Sequence, residues 1–482
     1  MNPLADAILL VADSITLYGT IWVLLGAGIY LTWRTRAVQV RLFRHMVSVV
    51  ASSRGGARGG ISSFQAFCIS LAARVGVGNV FGVAAALLMG GPGAIFWMWI
   101  VALVGMATAF FEASLAQLFK VRAPDGTFRG GPAYYMQLGM KSKLLGSIFA
   151  VITVITCAFV ITTVQSNAIA ETMTAAGTDP LITAALLFAF AAPVIMGGIR
   201  SVARVTEIMA PVMALIYVAM AAVIVVMHIS EFPRILGMIF SSAFSPEPLV
   251  GGLGGGILAA IINGTKRGLF SNEAGQGTAP NAAATATVAH PVRQGLIQSL
   301  GVFVDTIIVC TATAFIILVA GPEVWGAEGV NPATLTTLAV VDALGSWASL
   351  PMAVMIFVLA FSSIIAAYVY SEVNMFFVTS SPIGLWAVRI VSVASVVIGA
   401  LMTLAVVWNA VDIAMAMMTI TNLVALIVLA PWGVAILRDY ERQRRAGRAE
   451  PVFIAAECKG LPGPLTTDVW AARRRVPGER EA

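Results

Sequence analysis

The chain has 482 residues, 59% of them hydrophobic and only 11% charged, where a soluble globular protein carries roughly a quarter charged residues. Apolar stretches of about 20 residues recur along it, long enough to cross a bilayer core, while the runs of about 10 alternating residues that a membrane β-barrel needs are absent. This excludes a water-soluble protein, and the net charge of +6 is spread loop by loop rather than as a nucleic-acid-binding face.

In chain order, the opening MNPLADAILLVADSITLYG lacks the basic region and small-residue cleavage pattern of a signal peptide. It runs on apolar to Tyr30 and predicts a first membrane helix. Eleven spans are predicted in all, near 7–31, 63–89, 93–119, 144–170, 180–197, 202–229, 252–284, 295–320, 351–378, 384–406 and 409–436. The expected fold is an all-α polytopic membrane protein. It divides into an N-terminal helix with an Arg-rich loop (1–62), a first five-helix half (63–229), a connection (230–250), a second five-helix half (251–436) and a tail (437–482).

Basic residues alternate with the loops. The connection 32–62 carries Arg34, Arg36, Arg41, Arg44, Arg54 and Arg58, and 120–143 carries Lys120, Arg122, Arg129, Lys141 and Lys143. Arg200, Arg204 and Arg293 follow in loops of the same parity, and ten basic residues lie beyond 437. Loops of opposite parity hold Arg234 with Glu231, Glu247, Glu323 and Glu328. By the positive-inside rule the N-terminus is outside and the tail is cytoplasmic. The tail RDYERQRRAGRAE has no apolar periodicity and reads as a solvated or lipid-facing end. FPRILGMIFSSAF and LTTLAVVDALGSWA, in the two long outer connections, predict helices lying on the outer face, as gate or as packing.

Two spans depart from plain helix. One contains SLAARVGVGNVFGVAA, with Arg74, Asn79 and glycines at 76, 78 and 82; the other contains NGTKRGLFSNEAGQGTAP at 263–280. Glycine loosens a helix, and backbone left unsatisfied in lipid costs several kcal/mol, so such stretches persist where protein buries them or a watery cavity receives the freed groups. Four spans separate the two, which places them at matching positions of two oppositely oriented halves, the best sequence pointer to a transporter's binding site. Close packing through small residues is the alternative, but it does not call for the accompanying Asn, Arg, Lys and Glu. Unwound segments offer helix N-termini to a carboxylate and free carbonyls to Na⁺ or an ammonium group, a combination suited to a zwitterion carried with a cation.

The words GTKRGLFSNEAGQGTAP, ARVGVGNVFGVA, GGPGAIFWMW, GGPAYYM and VQSNAIAETM resemble the alanine/glycine:cation symporter family of prokaryotic membrane proteins, over about residues 54–436. The resemblance implies a LeuT-type five-plus-five inverted repeat with one added N-terminal helix, in a bacterial or archaeal cytoplasmic membrane. A monomer would suffice for transport. It further implies a Na⁺ held by the carbonyls of Ala72 and Val75 and the hydroxyls of Ser362 and Ser363. For the two serines, back-bonding to their own helix is the alternative that the residues alone leave open. The substrate, a small neutral amino acid, would lie against Gly76, Val77, Gly78, Gln165, Asn167, Phe270, Ser271 and Asn272. Asn79 is open to three roles: cation ligand, substrate ligand or staple of the broken helix. Gln165 and Asn167 are equally open to being interhelical hydrogen-bond partners. Two departures from the family pattern stand out. Val77 replaces a common Thr, and Ala367 stands at a position aligned with a common Trp, which predicts a larger or less selective pocket.

Arg74, Glu112, Lys266, Arg267, Glu273, Asp305, Glu372 and Asp412 fall in or near spans, where charges are usually paired or functional. Arg74, Lys266, Arg267 and Glu273 are expected to form a cytoplasmic-side gate or brace around the breaks. Proton coupling through Glu112 or Asp305 is the alternative to Na⁺. Cys68, Cys157, Cys310 and Cys458 and the three histidines are dispersed, so neither a nucleophile–base pair nor a metal cluster is expected, and no Walker-type loop occurs. The expectation is a transporter with no cofactor, not an enzyme.

Overall fold

The computed structural model describes residues 3–54, 61–124, 126–175, 177–247, 256–325, 330–402 and 404–471. Arg58, Glu328, the opening of the span predicted at 252–284 and the end of the tail at 472–482 lie outside the described residues.

The apolar runs form helices: α1 (Ile8–Arg34), α2 (Ser63–Arg74), α3 (Gly78–Gly90), α4 (Gly93–Leu118), α5 (Lys143–Ala175), α6 (Pro180–Met196) and α7 (Gly198–Met227). After them come α8 (Ile257–Asn272), α9 (Ala279–Thr285), α10 (Pro291–Ala320), α11 (Ser346–Val378), α12 (Pro382–Leu401) and α13 (Leu404–Arg445). Among the described residues eight helices are long and apolar enough to cross a membrane, and α2 with α3 makes a ninth, bent by 45°. The predicted span 180–197 is α6, an apolar helix of 17 residues. The predicted span 252–284 falls on α8 and α9, which at 16 and 7 residues are each too short to cross a membrane alone. Chain length and composition thus make this a multi-pass membrane protein. A short antiparallel hairpin, β1 (Val121–Arg122) with β2 (Phe128–Arg129), occupies the basic connection after α4. Both long connections expected on the outer side contain the predicted short helices, Phe232–Ser242 and Leu335–Leu344.

Burial sorts the helices. α11 buries 83% of its most apolar window, whereas α1 and α7 bury 28% and turn Trp22, Trp33, Ile208 and Leu215 outward, where lipid would solvate them. Small residues let the inner helices touch. A Cβ on Gly264 of α8 would stand 2.5 Å from the Ala94 carbonyl oxygen of α4, and one on Gly295 of α10 would stand 2.7 Å from that of Phe110. α4 is the post against which α8, α9 and α10 pack.

The start of α2 is fixed by a capping box. Ser62 Oγ accepts from the Gln65 N–H and Gln65 Oε1 accepts from the Ser62 N–H, both at 3.0 Å. The last helix runs past the predicted end at 436 to Arg445, with Asp439 and Tyr440 buried. Of the stretch RDYERQRRAGRAE, Arg444 to Glu450 are exposed as expected, but the chain beyond it docks: Phe453, Val469 and Trp470 are buried against the helices. The apolar residues that dock it, spaced irregularly, leave no periodic signal.

Candidate functional site

The first break separates α2 from α3. Val75 leaves the helical region (ψ 82°), and Gly78–Gly82 resumes as a π turn, an element frequent at functional sites. Side chains take up the freed backbone. The Gly76 N–H donates to Asn79 Oδ1 at 2.9 Å and the Val77 N–H to Gln165 Oε1 at 3.4 Å. Ser362 and Ser363 of α11 donate to the Ala72 carbonyl at 3.0 and 2.9 Å, and Ser363 reaches Ala73 at 3.1 Å. Both serines also bond back to Leu359, so back-bonding and reach across to the break coexist. Gly76 has no room for a side chain, since a Cβ would collide with Ser363 Oγ. Gly78 faces the second break; its Cβ would lie 3.1 Å from both Phe270 and Ser271.

The second break, residues 273–278, separates α8 from α9. Glu273, Gly275 and Gly277 have φ of 55°, 92° and 82°, and this left-handed backbone points N–H groups into a small concavity of the kind that binds anions. The carboxylate of Glu112 on α4 fills it, accepting from the Gly275 N–H at 3.1 Å and the Gly277 N–H at 2.8 Å. Asn422 of α13 donates to the same carboxylate at 2.6 Å and to the Gly275 carbonyl at 3.0 Å, and Tyr135 donates to Asn422. Glu273 itself accepts from Thr278 at 2.8 Å and from Tyr370 at 3.4 Å.

A buried polar knot joins the breaks. Asn79 donates to Ser271 at 3.0 Å and to Asp305 Oδ1 at 2.6 Å, while Ser271 and Thr306 donate to Asp305 Oδ2 at 2.6 and 2.8 Å. Asp305 lies in a π stretch of α10, Phe303–Cys310. Asn79 therefore staples its own break and ties it to the other.

The predicted residues fall into three places. Ala72, Val75, Gly76, Val77, Gly78, Asn79, Gln165, Phe270, Ser271, Ser362 and Ser363 gather at or beside the first break, and Ala367, four residues beyond Ser363, lies buried on the same helical face. Asn272 caps the turn through its Oδ1 to the Ala274 N–H at 2.9 Å, while its buried Nδ2 has no partner among the described residues. Asn167 faces α12 instead, donating to the carbonyls of Gly399 at 3.2 Å and Met402 at 2.6 Å.

The four charges expected to form one brace are split. Lys266 and Arg267 sit one to two turns before the second break. Lys266 pairs with Asp13 of α1, and both face Asp412 of α13, Arg267 at 2.8 Å and Lys266 at 3.4 Å. The Arg267 guanidinium also lies 5.2 Å from the centre of the Trp408 ring, which packs on Phe270. Arg74 lies apart from these, buried, donating to the Gln298 carbonyl at 3.1 Å. Lys266 and Arg267 point from α8 toward α1 and α13, whereas Arg74 points from the end of α2 toward α10. Sequence reasoning did not find Asp13, Asn422 or Tyr135, and named Glu112 and Asp305 only as alternative proton carriers, without their partners at the breaks. Their rarity in apolar segments was the available signal for the acids; nothing singled out Asn422.

Two helices broken at glycine-rich turns, facing each other across a buried polar knot in a multi-pass bundle, define the class as a membrane transporter. The model of the sodium:alanine symporter family matches residues 1–455. Curated relatives include the probable sodium/glutamine symporter GlnT of Bacillus subtilis, 42% identical over 89% of this chain and 89% of that protein. The amino-acid carrier protein AlsT of the same organism is 43% identical over 93% of this chain and 94% of its own length. The sodium/alanine symporter AgcS of Methanococcus maripaludis is 38% identical over 88% of this chain and 94% of its own. The chain belongs to the sodium:alanine symporter family: it is a sodium-coupled amino-acid symporter and not an enzyme.

Proposed function

We propose that this symporter imports a small neutral amino acid such as alanine or glycine together with Na⁺, by alternating access around the first break. The observation that carries the reading is the pair of hydroxyls, Ser362 and Ser363, seated on the Ala72 carbonyl where α2 unwinds. Carbonyl and hydroxyl oxygens without a formal charge suit a monovalent ion that must bind and then leave. In this reading the ion sits among Ala72, Val75, Ser362 and Ser363. The substrate carboxylate faces Gly76–Gly78, with Gln165, Phe270, Ser271 and Asn272 around it and Ala367 at the pocket wall. Asn167, engaged with α12, supports that wall rather than touching the substrate.

The eleven-span LeuT-type arrangement is part of the proposal. Its support is the placement of the breaks, α2/α3 and α8/α9, with α4 to α7 between them and α10 to α13 after. The loop charges favour an outward N-terminus and a cytoplasmic tail in the cytoplasmic membrane of a prokaryote. The test is uptake of labelled alanine into proteoliposomes, with Na⁺ or K⁺ outside and competitors from glycine to leucine. Uptake that requires inward Na⁺ is expected. Uptake driven by a pH gradient without Na⁺ would transfer the coupling to Asp305, the carboxylate beside the first break, and remove the serine site.

A further inference from the structure

The geometry points to the C-terminal segment 450–471 as an autoinhibitory strap over the joint that must open when the site empties toward the tail side. This rests on the alternating-access reading above. The joint itself is built from both broken helices. Ile61, two residues before α2, and Ala286, the residue after α9, form a parallel bridge, and the Thr287 N–H donates to the Ile61 carbonyl at 3.0 Å. The end of α4 locks the same place: Gln117 donates to the carbonyls of Ala283 at 2.5 Å and Ala286 at 3.0 Å, and Lys120 donates to Ala286 at 2.8 Å. The inner ends of the two broken helices cannot separate from each other or from α4 while these bonds hold.

The strap is laid across the end of α4 and the linker that follows α9. Gln443, at the end of α13, clamps Val452 in both directions, at 2.8 and 2.9 Å. Glu450 pairs with Arg293 at the start of α10. The Phe453 N–H donates to the Ala289 carbonyl at 2.9 Å, and its ring lies 5.3 Å from that of His290 and 5.4 Å from that of Trp470. At the far end Thr467 donates to the Lys120 carbonyl at 2.7 Å and the Trp470 indole to the Gln117 carbonyl at 3.1 Å. These are the two residues, Gln117 in the last turn of α4 and Lys120 just past it, whose side chains hold Ala286. Linker 286–290 is thus held between α4 and the strap, and the strap must lift before it moves. The stretch that the family model matches ends at residue 455, so Thr467 and Trp470 lie beyond it; the device is read from this chain's own contacts.

The test uses the full chain in proteoliposomes, with Cys458→Ala to remove the strap's own thiol and Val288→Cys, at a buried joint position, as reporter. The other cysteines, Cys68, Cys157 and Cys310, are buried. Combining Thr467→Val with Trp470→Ala should raise labelling of the reporter by an impermeant maleimide about fivefold. It should also raise alanine turnover at saturating Na⁺ about threefold with KM unchanged, because release of a lid that limits turnover shows in kcat. Deleting 450–482 should reproduce both effects in monodisperse protein. Labelling and turnover that stay at the parent level in both variants would overturn the strap, and so would faster labelling with slower turnover, the mark of a mere support. If the parent shows no Na⁺-driven uptake, the transport reading falls, and the labelling alone decides whether the strap closes the joint.

Discussion

The two breaks use the same residue types and end up with opposite partners. At the first, uncharged groups meet the freed backbone: Ser362, Ser363, Gln165 and Asn79. At the second, a carboxylate, Glu112, fills the concavity, and Asn422 holds both the carboxylate and the Gly275 carbonyl. Hydrogen bonds to neutral hydroxyls and amides are worth about 1 kcal/mol and exchange readily for an ion or substrate, while charge-assisted ones are about twice as strong. The lesson is that a glycine-rich interruption becomes a ligand site or a hinge according to what the neighbouring helices point at it. In the proposed reading the first break is the exchangeable one, while the second is held by Glu112 and Asn422.

The comparison can be broken most severely at Glu112. Glu112→Ala leaves two buried backbone N–H groups and one of the two N–H donors of Asn422 without an acceptor, and uptake should fall by about a hundredfold with a loss of thermal stability of about 3 kcal/mol. Transport and melting measured on detergent-solubilised protein check this, and an unchanged melting point would show the hinge to be held by something else. Gly76→Ala should come next. Its methyl collides with Ser363 Oγ, and Na⁺-driven uptake should drop about thirtyfold while the protein still folds, since one hydroxyl has only to turn away. Ser363→Ala should raise the Na⁺ concentration for half-maximal uptake about tenfold, equivalent to one lost oxygen contact, with the alanine KM less affected. The same substitution producing no change in Na⁺ dependence would transfer the ion elsewhere.

Asp305→Asn sharpens the contrast. The amide keeps an acceptor for Asn79, and the hydroxyls of Ser271 and Thr306 can rotate, so uptake should fall only about threefold if the knot merely positions the breaks. Abolished uptake with preserved Na⁺ binding would assign Asp305 a proton or ion. The smallest effect is expected at Ala367→Trp, which should narrow the competitor profile toward glycine and alanine by about threefold without changing Na⁺ dependence.

Much of this was legible along the chain. Hydropathy located the helices, and glycines beside Asn, Arg and Glu located both interruptions within a few residues. The words around them indicated the family. What was not legible follows from geometry that one strand of sequence does not carry. Lys266 and Arg267 are adjacent to the second break in sequence, yet rotation about α8 delivers them to Asp13 and Asp412. Asn167, in the same word as Gln165, lies two residues on and so points to another face, where it holds the end of α12. The tail beyond 445 has no periodicity to read, because it docks as an irregular segment through scattered aromatic side chains.

The serines set against the first interruption came from the family resemblance, while by itself the sequence determined that this is a helical membrane protein and which two helices are interrupted. Those are properties of local composition: transfer of side chains to lipid and the cost of unpaired backbone act residue by residue. Only the tertiary structure decided which groups meet each interruption, because Glu112 and Asn422, more than 300 residues apart, arrive at one turn of backbone. It also decided that the tail is a fastening rather than a loose end, since a strap exists only relative to the surface it crosses.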